Sequence, residues 1–109
     1  MRVTFTARHF KPSERLKSIA TEEVKRLKKY YDDILDCEII LDYVKQQQIA
    51  EVVIKVDGTK LAIVEKSEDM YKSLNLAVDK LERKLKRYKD KRRGFDKEKV
   101  SDVLSETSE

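Results

Sequence analysis

The chain is poor in the residues that usually announce chemistry. It has one cysteine, one histidine, one proline, two glycines and no tryptophan among 109 residues. A single cysteine excludes an intramolecular disulfide and a cysteine-based metal cluster. Cys37 lies in an apolar run and reads as a small buried hydrophobe, not a nucleophile. With only Gly58 and Gly94, there is no glycine-rich phosphate loop. His9 reads as a polar side chain at a strand end, not as a base or ligand. The pairs Asp32-Asp33 and Glu68-Asp69 sit at helix ends, where capping and the helix macrodipole account for them. No residues form an acid/base pair in a defined pocket, so no enzyme, cofactor or small-molecule substrate is expected. No apolar run approaches the ~18 residues of a membrane span. The N-terminus, Met1 to Thr6, lacks the apolar stretch of a signal peptide. A reducing cytoplasm suits such a chain.

Charge is what the sequence has in abundance: 42% of residues are charged, against 39% hydrophobic. Its placement is uneven. Residues 1–71 carry thirteen basic and thirteen acidic side chains, whereas residues 72–93 carry ten Lys and Arg against three Asp and Glu. Residues 94–109 reverse the balance, with two basic and five acidic side chains. The net +4 is the remainder of a polarised chain. A general preference for lysine would have spread the excess. A concentrated one reads as a surface that meets a polyanion.

Apolar periodicity supplies the architecture. Val3, Phe5 and Ala7 alternate with polar residues over Arg2–Arg8, predicting a strand. Pro12 ends it, and Ser13 is placed to cap a helix whose apolar face is Leu16, Ile19, Ala20, Val24, Leu27, Tyr30 and Tyr31. Three strands follow. Residues 37–44 put Cys37, Ile39, Leu41 and Tyr43 on one side, and residues 49–56 alternate Val52, Ile54 and Val56. Residues 59–65 complete the set after Asp57-Gly58, a pair suited to a type I′ hairpin turn. Lys45 to Gln48 has no tight-turn signature and reads as a flexible loop. Ser67 is the expected cap of the second helix, whose apolar stripe is Met70, Leu74, Ala77, Val78, Leu81, Leu85 and Tyr88. That helix is expected to fade after Arg93-Gly94.

The expected fold is therefore α+β, in the order β-α-β-β-β-α. A right-handed crossover makes the first two strands parallel, and hairpins add the others to a four-stranded mixed sheet. Both helices cover one face, as in double-stranded-RNA-binding domains. Residues 1–94 form this domain, and residues 95–109 are expected to be an acidic, mobile tail.

On a helical projection, Lys80, Arg83, Lys84, Arg87 and Lys91 share one flank of the second helix, with Asp79 and Glu82 toward the other, beside Lys86. Lys25, Arg26 and Lys29 lie opposite the apolar face of the first helix. Side by side, the two helices would merge these residues into one cationic ridge. The plainer reading is a solvated helix face, since Glu–Lys pairs at i,i+4, such as Glu82 and Lys86, stabilise a helix by ~0.3 kcal/mol without any partner. Two other roles stay open: a general double-stranded-RNA binder, and an adaptor for an acidic protein partner.

Two stretches carry a more specific likeness. They are Glu68-Asp69-Met70-Tyr71, opening the second helix, and Lys80-Leu81-Glu82-Arg83 followed by Leu85 and Lys89. Thr4-Phe5-Thr6-Ala7-Arg8 and Val24-Lys25-Arg26-Leu27-Lys28-Lys29-Tyr30 add to it. From Val3 to about Lys91 the chain resembles the ribosome hibernation promoting factors, also called ribosome-associated inhibitors or subunit-interface proteins. The resemblance implies a non-enzymatic protein that binds the small ribosomal subunit between head and body. There it would overlap the messenger and transfer RNA positions, silence translation and stabilise idle ribosomes. The implied contacts with 16S ribosomal RNA are Lys25, Lys28 and Lys29 on the first helix. On the second they are Lys80, Arg83, Lys84, Lys86, Arg87, Lys89 and Lys91, followed by Arg92 and Arg93. Tyr71 of the shared motif is expected to pack in preference to stacking on a base.

Two positions depart from the family pattern. Ser13-Glu14 stands where many members have Thr-Pro, and Lys84 where glutamine is commoner. Long members continue into a C-terminal dimerisation domain that pairs ribosomes. No such domain is expected here, which suits either a short form or the N-terminal part of a longer chain.

Overall fold

In the computed structural model, residues 1–95 are described, with side chains through Lys91. The segment expected to be a mobile tail lies outside them, apart from Phe95. The elements are β1 (Arg2–Arg8), α1 (Glu14–Lys28), β2 (Ile34–Val44), β3 (Gln47–Val56), β4 (Thr59–Ser67) and α2 (Met70–Phe95). They form one sheet in the order β1-β2-β3-β4, with β1 parallel to β2 and the other pairs antiparallel. The expected fold is the one observed.

Strand register explains why both helices take the same face. Phe5 pairs with Ile39, Ile39 with Val52, and Val52 with Ile63, so four apolar side chains form one row across the sheet. Val3, Cys37, Ile54 and Leu61 form the next row. Onto these rows α1 sets Leu16, Ala20, Val24 and Leu27, and α2 sets Met70, Leu74, Ala77, Val78, Leu81 and Leu85, all buried. Each such leucine or valine removed from water contributes about 1.5–3 kcal/mol, so this layer carries the stability of the fold. The opposite face bears polar rows such as Arg2, Asp36, Lys55 and Lys60.

Several local expectations are corrected. Lys45-Gln46 is a tight two-residue turn with φ of 49° and 66°, and pairing resumes at once between Val44 and Gln47. Strand twist demands left-handed residues here, and the long β2–β3 ladder imposes them without glycine or asparagine. β2 begins at Ile34 instead of residue 37, because a bulge between Ile34 and Asp36 shifts the side-chain phase. Ile34 is thereby buried and Leu35 exposed. Tyr43 has the inward parity of Leu41 but lies near the strand end and is exposed. α1 stops at Lys28, so Tyr30 and Tyr31 leave its face.

Capping follows expectation at α1 and departs from it at α2. Ser13 Oγ accepts from the Leu16 N–H at 3.1 Å. At α2 the cap is Asp69, not Ser67: its Oδ1 accepts from the Tyr71 N–H at 3.0 Å, and its carbonyl from Ser73 N–H at 2.9 Å. Ser67 supports it from one turn earlier, its Oγ accepting from the Asp69 N–H at 3.1 Å. The fully buried Ser73 hydroxyl lies 2.6 Å from both the Gln48 carbonyl and the Ser67 Oγ. α2 then runs through Gly94 to Phe95, past the expected end.

At the other end of the sheet, Asp57 of the β3–β4 turn accepts from two hydroxyls, Tyr31 at 2.6 Å and Tyr88 at 3.0 Å. The two rings meet edge to face at 6.2 Å and 85°. This cluster ties the α1–β2 connection and α2 to one hairpin. His9 lies in the left-handed region, φ 67°, with Nδ1 2.7 Å from Asp42 Oδ1.

Two predictions follow from these environments. Burial pushes the Cys37 thiol up to about 12. Alkylation at pH 8 should therefore require unfolding, and labelling as fast as a free thiol in the native protein would contradict its burial. The Asp42 carboxyl is held below its ordinary value chiefly by the His9 hydrogen bond. A depressed folded-state pKa contributes stability above the unfolded value and loses it as pH falls through the folded one. The stability gap between the parent and Asp42→Asn should narrow as urea titrations move into the acid range, where the Asp42 carboxylate takes up its proton.

Candidate nucleic-acid interface

The cationic residues on α2 are sorted by what its two flanks face. Contacts between the helices advance together: Asn75 with Glu23 at 3.5 Å, Asp79 with Arg26 at 2.8 Å, and Lys89 Nζ with the Tyr30 carbonyl at 2.8 Å. α1 and α2 therefore run parallel, and the first flank of α2 lies against α1.

Arg26 organises that seam. Its Nη2 stands 2.8 Å from Asp79, 3.5 Å from Glu23 and 3.7 Å from Glu82. Burial works against its charge, but the Asp79 hydrogen bond and the three carboxylates outweigh this and hold Arg26 above its ordinary value. Glu82 also takes the Tyr30 hydroxyl, whose pKa is raised by that hydrogen bond. The expectation that Arg26 points away from the core as part of an outward ridge is thus corrected. It faces α2, because the acids there compensate it.

On the opposite flank, α2 runs antiparallel to β4. Lys80 Nζ pairs with Glu65 at 2.8 Å, and Lys84 Nζ donates to the Ala62 carbonyl at 3.4 Å. Lys80, Arg83, Lys84 and Arg87 line a cleft of about 210 Å³ with Ile63. Spacings of three, one and three residues keep these four on one flank, over roughly 10 Å of helix at 1.5 Å per residue. Guanidinium forks at Arg83 and Arg87 suit bidentate contact with phosphate or carboxylate oxygens, and the two lysines supply adaptable charge.

The remaining candidates do not join this groove directly. Lys86 is exposed, and Lys89 is spent on the Tyr30 carbonyl at the α1 seam. Lys25 pairs with Glu22 at 3.3 Å, while Lys28 and Lys29 are exposed at the end of α1. Lys91 is half-buried one turn beyond Arg87. Arg92 and Arg93 lie on the helical backbone, with side chains outside the described set. Tyr71, expected to pack, is 42% exposed. Two groove members escaped the sequence reading. Ile63 and Glu65 share the helix-side parity of Leu61 on β4, a signal that was legible but gave no hint of α2's register.

The fold and this groove define a small α+β domain with one strongly cationic flank. Residues 3–93 match the family described as Sigma 54 modulation protein / S30EA ribosomal protein, and the chain belongs to that family. It is 28% identical over 95 residues to the ribosome hibernation promoting factor of Pseudomonas putida, covering 87% of this chain and 93% of that one. Against the factor of Escherichia coli the identity is 26% over 91 residues, covering 84% and 96%. A ribosomal subunit interface protein from Coxiella burnetii superposes with a TM-score of 0.78 at 28% identity, covering 83% of this chain and 99% of that one. The Protein Y N-terminal domain of Thermus thermophilus gives 0.75 at 24%, a likeness of fold, covering 81% and 99%.

Replacing Arg26 with alanine should strip the α1–α2 seam of its only described cation shared by three carboxylates. The expected cost is about 1 kcal/mol in urea unfolding, larger at low salt, as for a partly exposed network. A variant as stable as the parent at low salt would show that the seam does not depend on it.

Proposed function

We propose that this protein is a non-enzymatic, cytoplasmic ribosome-binding factor that silences translation and promotes hibernation. In this reading it occupies the messenger and transfer RNA channel of the small subunit. Phosphates of 16S ribosomal RNA meet Lys80, Arg83, Lys84 and Arg87, and Lys28, Lys29, Lys86 and Lys91 extend the contact. The observation that carries the proposal is that cationic row, present on a chain of the S30EA family whose similar curated proteins are named ribosome hibernation promoting factors. The mechanism is occlusion: a folded, charged wedge needs no bond-making to block a channel, only affinity for its walls. Phosphate contacts supply that affinity without reading base sequence, and in this reading the shape of the folded RNA supplies specificity.

Co-sedimentation with purified small subunits across a salt series tests the reading. Log K should fall linearly with log salt, with a slope of about −0.7 to −0.9 per phosphate neutralised. Arg83→Glu with Arg87→Glu should abolish pelleting, while circular dichroism reports an intact fold. Binding indifferent to both salt and this double reversal would refute the proposal. Equal affinity for free duplex RNA would instead identify a general double-stranded-RNA binder. Cellular complexes that resist ribonuclease would identify an adaptor for an acidic protein.

A further inference from the structure

The cationic groove has an acid at one end. Glu65 lies two residues beyond Ile63 on β4, on the side of the sheet that faces the helices. Its neighbours across the sheet in that row are Ala50, Leu41 and Ala7. Ala50 and Leu41 are fully buried, so an apolar residue would continue the row. Instead a carboxylate stands there, its side chain 19% exposed and its Oε2 2.8 Å from Lys80 Nζ.

Stability does not call for this pair. A half-exposed ion pair adds little to a fold, and well-packed apolar side chains commonly replace one without loss. Affinity for phosphate does not call for it either. Glu65 offsets one of the four charges on Lys80, Arg83, Lys84 and Arg87 and repels an anion that approaches the Lys80 end. A groove that only had to grip polyanions would be better without it.

What a carboxylate adds is an acceptor, since the ionised group takes hydrogen bonds and donates none. Glu65 Oε1 has no partner among the described residues. Lys80 has three N–H groups, of which Glu65 can occupy one. This end of the groove therefore presents an acceptor beside donors, about 4.5 Å along the helix axis from Arg83 at 1.5 Å per residue. A ligand that fits carries a donor next to an anionic oxygen. RNA supplies that pair at every nucleotide, because the ribose 2′-hydroxyl adjoins a phosphate whatever the base. Base edges carry donors too, but in a pattern set by sequence, which phosphate-directed binding does not read. DNA lacks the hydroxyl.

We infer that Glu65 is a specificity residue: its carboxylate accepts a ribose 2′-hydroxyl while Lys80 holds the neighbouring phosphate, so the groove prefers RNA to DNA. The inference rests on the proposal that the groove takes RNA phosphates, whether or not a ribosome presents them.

Binding of short single-stranded oligonucleotides at low salt, in two unrelated sequences, tests this. The probes are RNA, DNA and 2′-fluoro RNA, which keeps the ribose pucker and loses the donor. The parent should bind RNA about tenfold more tightly than either of the others, as for a hydrogen bond to a charged group. Glu65→Val should bring the three affinities together, chiefly by strengthening DNA and 2′-fluoro RNA as the repulsion is removed. Glu65→Gln keeps an acceptor without the charge and should narrow the preference without erasing it. Should the valine variant not fold by circular dichroism, the glutamine variant decides the case. A parent that binds the three probes alike, or does not bind RNA, overturns the inference. So does a variant that shifts all three by one factor, which would make Glu65 only a support for Lys80. A preference present in one sequence and lost in the other also overturns it, assigning the carboxylate to a base edge. Small-subunit pelleting is read separately, and its absence with the sugar preference intact defeats the ribosome reading alone.

Discussion

Arg26 is the constraint on which the charge pattern of this molecule depends. α2 carries acids and bases within the same turns, and a helix of that composition would ordinarily neutralise itself through i,i+4 pairs. Here Asp79 and Glu82 are drawn across to Arg26 of α1. On the other flank, Lys80 pairs with Glu65 of β4. The energies show what this interaction is for. Partly exposed ion pairs contribute about 0.2–1 kcal/mol each, whereas burying Leu81 or Leu85 contributes about 1.5–3 kcal/mol. The network therefore does little to hold α2 on the sheet. Its consequence is the segregation of charge between a compensated seam and a cationic groove.

This division places a single helix in three roles around its circumference. The apolar stripe from Met70 to Leu85 packs on the sheet, the acidic flank meets α1, and the basic flank overhangs β4. Both ends are fastened by polar clusters. Asp69, Ser67 and Ser73 fix the start against the Gln48 carbonyl, and Tyr88 with Tyr31 fixes the later turns to Asp57. Side chains on the overhanging flank are thus carried by a rigid element, a better platform for recognition than a loop.

Legibility in the sequence followed the range of the physics. The four strands, two helices and their order were readable because periods of 2 and 3.6 are local properties of the chain. Ser13 and Asp57-Gly58 were readable for the same reason. The left-handed Lys45-Gln46 turn was not, since neither residue favours it and only the pairing of Val44 with Gln47 enforces it. The bulge at Leu35 and the fate of Tyr30 and Tyr31 were likewise set by tertiary packing. The flank shared by Lys80, Arg83, Lys84 and Arg87 could be projected from helical geometry. Whether Arg26 joined them could not, because that turns on which face of α1 meets Asp79, a distance of 53 residues along the chain.

The groove's apolar floor bears on what would hold it most firmly. A phosphate backbone engages the four cations and gains little from Ile63, so its affinity lies in counterion release and decays steeply with salt. A ligand that also covered Ile63 would add a contact that salt does not screen. The steepness of the salt dependence therefore reports how much of the binding rests on the four cations and how much on the apolar floor beneath them.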